Sequence, residues 1–226
     1  NANYAPPFPV LEENGIPEKE TSLVLDVTNL QPDHMVRAMK QISARGDDYS
    51  RYNRMSWYWH ASDADAADLD VFFRVGADTL NYYEISARMA DMPNRYDWRK
   101  LEIELKYLTN IKTNEPDADG ITRGQIQDLK GDLSYDVSVV GRPDMTSVTR
   151  FFVGVKNRTR RPISGQIRYN DIILEGVKRD VGMAESVGLQ LNLADVLKVD
   201  FDWDKQDAEF HGLNSEAGQG AVTENW

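Results

Sequence analysis

Aromatic side chains give the clearest candidate for ligand chemistry in this sequence. Trp57 and Trp59 alternate with Tyr58 in the run "RMSWYWHAS", and Tyr82 and Tyr83 follow in "NYYEISARM". Flat rings on one face of a sheet can stack on sugar rings, so Trp57, Trp59 and Tyr82 are candidate carbohydrate or partner contacts. The alternative is that large aromatic residues at alternate strand positions pack in the core.

Two acidic runs bring carboxylates together at short spacing. In "EPDADGITRGQI", residues 115–126, Glu115, Asp117 and Asp119 precede a glycine, as in the first half of a calcium-binding loop. Isoleucine stands at the last position of this run, where such a loop needs a bidentate Glu. The run "DADAADLD" has no feature that would fix an acid–base pair. Both runs are interpreted as polar loops.

Other kinds of catalytic site find little support. The chain has no cysteine, and its three histidines, His34, His60 and His211, are far apart. Neither an HExxH nor a GxSxG pattern is present, so the sequence indicates no zinc site and no nucleophile triad. We expect a protein that is not an enzyme.

The charge balance argues against a nucleic-acid partner. The 226 residues include 26 Lys and Arg against 37 Asp and Glu, a formal net charge of -11 that repels a phosphate backbone. The densest basic stretch, "KNRTRRPISGQIR" at 156–168, is interpreted as a solvated loop between strands. No run of roughly 18 apolar residues predicts a spanning helix.

Alternating hydrophobicity predicts strands along most of the chain. The stretch "VFFRVGADTLNYYEISARM" at 71–89 predicts a hairpin, with Phe73, Tyr83 and Ile85 among its core residues. "WRKLEIELKYLT" alternates through Leu101, Ile103 and Leu105. The run "QPDHMVRAMKQISARG" fits a short helix or a strand, and its pattern alone favours the helix. Further strands are predicted at "SLVLDVTNL", "SYDVSVVG", "SVTRFFVGVKN" and "GQIRYNDIILEG".

Many short strands with one doubtful helix predict an all-β sandwich. We divide the chain into an extended Pro-rich lead-in at 1–20, the sandwich at 21–176 and further alternating strands with a loose tail at 177–226. In this last part Val199, Phe201 and Trp203 alternate with aspartates. Such a strand suits the edge of a soluble sheet or the wall of a membrane barrel.

Six phrases, spread over roughly residues 18–197, occur in an order that resembles the SprA/Sov family of outer-membrane translocons of the type IX secretion system, which are also linked to gliding motility. They are "KETSLVLDVTNLQP", "YNRMSWYWHAS", "VFFRVGADTLNYYEI", "WRKLEIELKYLTNIK", "VVGRPDMTSVTRFFVGVKN" and "GQIRYNDIILEGVKRDVGMAESVGLQLNLADV".

The resemblance implies a fragment of a much larger chain, acting as a non-catalytic structural or protein-interaction module in the cell envelope, associated with the outer membrane. Its implied partners are other segments of the same translocon, accessory outer-membrane or periplasmic proteins, and secreted cargo, with membrane contact only through the parent barrel. The alternative function is a carbohydrate-binding module of a secreted protein.

The resemblance also refines the expected fold. It changes residues 36–42 from helix to strand, and residues 21–176 further resemble jelly-roll sandwiches of the galactose-binding kind. In some of those modules an acidic pair in the last strand holds a structural calcium ion. Asn170 and Asp171 stand at the corresponding places, so they are the calcium candidates; otherwise no cofactor or metal is expected.

Overall fold

The computed structural model describes residues 12–13, 16–17, 21–62, 65–91, 98–129, 133–178, 184–193, 197–206 and 223–225. The chain divides into two compact units, Asn1–Val177 and Lys178–Trp226. Of the predicted lead-in, only the short antiparallel strands β1 (Glu12–Glu13) and β2 (Ile16–Pro17) are described, and the rest lies outside the described residues. Within the described ranges, no helix is long and apolar enough to cross a membrane.

The described part of the first unit has ten more strands, one α-helix and two short 3₁₀ helices, Ala66–Asp68 and Met89–Asp91. The strands and the α-helix are β3 (Leu23–Leu30), β4 (Met35–Gln41), β5 (Tyr52–Ala61), β6 (Asp70–Gly76), β7 (Tyr82–Arg88), β8 (Arg99–Glu104), α1 (Leu105–Ile111), β9 (Thr122–Gln127), β10 (Ser134–Val140), β11 (Arg150–Lys156) and β12 (Ile163–Val177).

Eight of these strands pair as in a jelly roll, where the first strand of the set lies beside the last, the second beside the seventh, and so on inward. β3 pairs with β12, β4 with β11, β5 with β8 and β6 with β7, all antiparallel. The resulting sheets have the orders β3-β12-β5-β8 and β4-β11-β6-β7, and β10 and β9 extend the second sheet beyond β7. The predicted all-β jelly-roll sandwich is confirmed.

The core lies between the two sheets and is rich in aromatic rings. Trp57 on β5 stacks against Phe73 on β6, with ring centres 4.7 Å apart. The Tyr169 hydroxyl on β12 donates a hydrogen bond to the Gly154 carbonyl of the opposite sheet at 2.6 Å. The hairpin predicted at 71–89 is confirmed as β6 and β7. The predicted core residues are all buried: Val71, Phe73, Val75, Tyr83, Ile85, Leu101, Ile103, Val153 and Val155.

The structure corrects three local predictions. Residues 35–41 form strand β4, so the helix favoured by the pattern is wrong and the strand implied by the resemblance is confirmed. The strand predicted through Leu105 ends at Glu104, because Leu105, Leu108 and Ile111 follow at helical spacing and are all buried on α1. The polar loop predicted after α1 contains strand β9, which pairs with β10.

A buried asparagine fixes the corner between β3 and β4. The side-chain amide of Asn157 donates hydrogen bonds to the carbonyls of Leu30 and Arg161, at 2.8 and 2.7 Å. Its side-chain oxygen accepts from the backbone and hydroxyl of Thr159. Its own carbonyl accepts from the Asp33 N–H at 2.7 Å. One fully buried residue therefore connects the crossing from β3 to β4 with the crossing from β11 to β12.

The second unit contains β13 (Ala184–Leu193), β14 (Leu197–Gln206) and β15 (Thr223–Asn225) in one antiparallel sheet. The strand predicted around Val199, Phe201 and Trp203 is confirmed as β14. These three residues pair with Leu191, Leu189 and Val187, so the apolar positions of the two strands share a register. Apart from β15, the tail predicted to be loose lies outside the described residues.

Candidate functional site

The two tryptophans proposed as sugar contacts lie in the core. Trp57 and Trp59 are both 0% exposed and meet edge to face, with ring centres 6.2 Å apart. Trp59 also packs against Tyr135 across the sandwich. A buried ring has no free face for a sugar, so the carbohydrate-contact interpretation of Trp57 and Trp59 is wrong. The alternative stated for such residues, core packing, accounts for both of them.

Tyr82, the third aromatic candidate, is half-buried on the outer face of the larger sheet. The guanidinium of Arg74 lies over the rings of Phe72 and Tyr82, 4.6 Å from each ring centre. Its Nε donates to a Glu84 carboxylate oxygen at 2.6 Å. One face of the Tyr82 ring is therefore covered by this cation–π contact.

The calcium candidates Asn170 and Asp171 lie at an irregularity in β12. The pairing of β12 with β5 shifts between Asn170 and Ile173, and Asp171 has a φ of 48° in the left-handed region. The Asn170 amide donates to an Asp171 carboxylate oxygen at 3.2 Å. In the described part of the chain, no group of three or more His, Cys, Asp or Glu is placed to hold a metal. Calcium binding by this pair stays a prediction.

Arginines hold both acidic runs singled out in the sequence. Arg123 donates to Asp117 and Asp119, each at 2.6 Å, and its hydrogen bond lowers the pKa of Asp119 to about 2. Arg161 donates to Asp65 and Asp68, each at 2.9 Å. These carboxylates therefore have structural partners in exposed loops.

An apolar groove of about 450 Å³ opens between the two sheets, on the side where β3 and β4 are the outermost strands. Phe151, Val153 and Tyr169 contribute its largely buried wall. Leu23, Met39 and Ile172 also line it but are exposed, at 47%, 54% and 37%. Its polar lining comes from Lys40, Asn170 and Asp171.

The bulge in β12 positions one wall of this groove. Between Asn170 and Ile173 the chain takes three steps on β12 against two on β5, so one extra residue is accommodated. Ile172 lies within this bulge and lines the groove. The calcium candidates thus lie in the groove wall rather than at a separate site.

The opposite side of the sandwich is closed by α1. This helix connects β8 to β9, the outermost strands on that side, and buries Leu105, Leu108 and Ile111. The Ile111 side chain lies so close to Gly124 on β9 that a β-carbon there would be 2.9 Å from it. The helix thus fills the side opposite the groove.

The sequence carried no signal for the groove residues. Leu23, Ala38 and Met39 alternate within β3 and β4 like any strand residues, and the pattern does not tell an outer strand from an inner one. Only the long-range pairing of β3 with β12 and of β4 with β11 places them on the open side.

Comparison with known protein families shows to which family the chain belongs. The SprA N-terminal family, described as motility related/secretion protein, matches residues 12–225. The chain belongs to this family. Membership relates the chain to motility and secretion, and a secretion-related role points to the cell envelope. No curated protein matches the chain.

Proposed function

We propose that this chain is a non-catalytic interaction module of a large outer-membrane translocon for protein secretion, of the type IX and gliding-motility kind. Its partners are other segments of the translocon, accessory outer-membrane or periplasmic proteins, or secreted cargo. Family membership over residues 12–225 supports the secretion and motility role. The groove supports the interaction role.

The exposed apolar rim of the groove is the observation that carries this proposal. Leu23, Met39 and Ile172 line the groove and are exposed, whereas the core residues of the sandwich are buried. A contiguous exposed apolar patch on such a domain marks a site of association, because its burial against a partner is favourable. The groove volume is also in the range of about 300–1,000 Å³ typical of binding sites.

The engaged carboxylates support a non-catalytic role. A glycoside hydrolase would need two carboxyl groups facing each other across a cleft, about 5–9.5 Å apart. Asp65, Asp68, Asp117 and Asp119 instead pair with arginines in exposed loops. The chain then acts through its shape and surfaces.

A secretion assay in the native host tests the proposal. Met39→Asp and Ile172→Asp together place two charges on the groove rim without disturbing the buried core. The matched control is Leu80→Asp with Leu129→Asp, since both are exposed apolar residues outside the groove, at 72% and 41%. Cargo release and gliding are measured at equal levels of the parent protein in the membrane fraction.

We expect the groove variant to impair secretion and gliding, and the control to behave as wild type. Normal secretion with the groove variant would refute the interaction role of this groove. Recovery of the parent protein away from the outer membrane would refute the proposed location.

A further inference from the structure

Beside the groove, the described part of the chain leaves one backbone edge of strand β4 unpaired. Among the described strands it pairs only with β11. The His34 carbonyl accepts from Asn157 and the Ile42 N–H donates to Thr149, so even-numbered residues face β11. Backbone groups alternate in direction along a regular antiparallel strand. The N–H and C=O groups of Met35, Arg37, Met39 and Gln41 therefore point to the open side.

This edge lacks two of the devices that usually block strand pairing, a bulge and a proline. The register with β11 runs unbroken from Met35 to Gln41, so no bulge twists the edge away. Proline, which would remove a donor, is absent from β4. Met35, Val36 and Met39 are exposed at 46%, 37% and 54%. A regular, partly apolar outer strand is a template for another strand.

The charges of this edge determine which strand it would accept. Residues 34–46 contain no Asp or Glu, and neither does β11, in a chain whose net charge is -11. The two strands carry Arg37, Lys40, Arg150 and Lys156. In the part of the chain that the structure describes, none of these four cations forms an ion pair with a carboxylate.

A second copy of this chain is a poor occupant. A β4–β4 pairing that sets Arg37 opposite Arg37, or Lys40 opposite Lys40, of the second copy places like charges directly across strands, where they repel. An acidic strand would instead gain attraction at each of these positions. Charge complementarity therefore favours a partner segment that carries carboxylates.

We propose that β4 binds an acidic, extended segment of a partner polypeptide, which adds to the larger sheet as a further strand. Its alternate side chains would enter the groove beside Ala38 and Lys40, and the others would lie beside Arg37 on the outer face. The segment would combine apolar residues for the groove with carboxylates for Lys40 and Arg37. This inference rests on the proposed function and names the chemistry of its partner.

Peptide binding to the 226-residue chain tests the proposal. The probe is a labelled peptide of alternating valine and glutamate, seven residues long like β4, whose glutamates all lie on one face and so reach either Arg37 or Lys40. Its counterpart with lysine in place of glutamate is the control peptide. We expect the acidic peptide to bind at least about tenfold more tightly than the basic one, and raised salt to weaken it. Equal binding of both peptides would refute the charge argument.

Charge-reversed variants distinguish an effect of the β4 cations from an effect of the net charge of the whole chain. Arg37→Glu with Lys40→Glu is expected to weaken the acidic peptide by about tenfold and to strengthen the basic one. The control, Arg142→Glu with Arg160→Glu, makes the same change in net charge at exposed loop positions. If both double variants weaken the acidic peptide equally, the site is not β4.

Two further measurements test strand addition itself. On binding, the amide protons of Met35, Arg37 and Met39 should become protected from exchange, because they gain hydrogen-bond acceptors. Gln41→Pro removes one outward donor and should weaken binding about fivefold or more, whereas Gln41→Ala keeps the donor and should not. Binding without amide protection would refute strand addition even if the proline variant failed to fold.

The outcomes also distinguish this proposal from the broader one. If neither peptide binds but the groove variants still block secretion, strand addition is refuted and the interaction role stands. Protection of the same amides by self-association at high protein concentration would make a second copy the occupant and refute the acidic partner.

Discussion

Replacing Gly154 with alanine should destabilise the sandwich and disturb the free edge. Gly154 lies on β11 between Arg37 of β4 and Phe72 of β6. A β-carbon here would be 2.6 Å from the Val36 carbonyl oxygen and 2.8 Å from Cε1 of the Phe72 ring, and would also meet Cζ of that ring. The ring and strand β4 must both move to admit a methyl group.

The loss of folding stability follows from the apolar area of the Phe72 ring that becomes exposed to water. Phe72 is 3% exposed, and a buried aromatic side chain covers about 150–250 Å². Returning about half of that area to water costs about 2.5 kcal/mol. Alanine offsets about 0.5–1 kcal/mol because glycine loses more backbone freedom on folding. The net loss of about 2 kcal/mol should lower the urea midpoint by roughly 1 M.

Urea unfolding followed by tryptophan fluorescence measures this loss, because Trp57 and Trp59 lie in the core. The control is the same substitution in a Phe72→Ala background, where the contacts with the Phe72 ring are removed and the contact with the Val36 carbonyl remains. The cost of Gly154→Ala should fall by about half or more there. Equal costs in the two backgrounds, or no cost in the single variant, would refute the packing argument.

Three other substitutions test the core. Burial raises the pKa of Tyr83 from 10.0 to about 12, so the unfolded chain loses this proton first and stability falls between these two pH values. Unfolding titrations should show that Tyr83→Phe removes this alkaline loss, which is on the order of 2 kcal/mol. Asn157→Ala should cost about 2–3 kcal/mol, because two carbonyls lose their donors, and restored stability in Asn157→Asp would contradict this. Trp57→Ala should cost about 3–5 kcal/mol by thermal unfolding, against about 0.5 or less for the half-exposed Tyr107→Ala.

The sequence predicted what depends on local alternation. The hairpin at 71–89 could be predicted because Phe73, Tyr83 and Ile85 alternate with polar residues and a polar break separates the arms. Alternation does not predict the structure where the same residues fit both a strand pattern and a helix pattern. Leu105 continues the strand pattern of Leu101 and Ile103, yet it begins α1, because burial against the sandwich end selects the helix.

The site could not be predicted, because it depends on which strands are outermost. Met39 and Trp57 both read as apolar residues in strands, but Met39 is 54% exposed and Trp57 is fully buried. β5 lies between two strands of its sheet, whereas β4 pairs only with β11 among the described strands. Which strand is outermost depends on pairing between strands more than a hundred residues apart, and a local sequence pattern does not predict such pairing.

The jelly-roll pairing has a consequence for how the protein is made. The first strand of the sandwich lies beside its last, and the hydrogen bond from Gln166 to Asp26 joins residues 140 positions apart. At about 5–20 residues per second of synthesis, β3 waits about 7–30 s for β12. During that interval the sandwich cannot close, and apolar strands stay open to wrong pairings. A chaperone that holds such strands apart until β12 is complete would therefore raise the yield of folded protein.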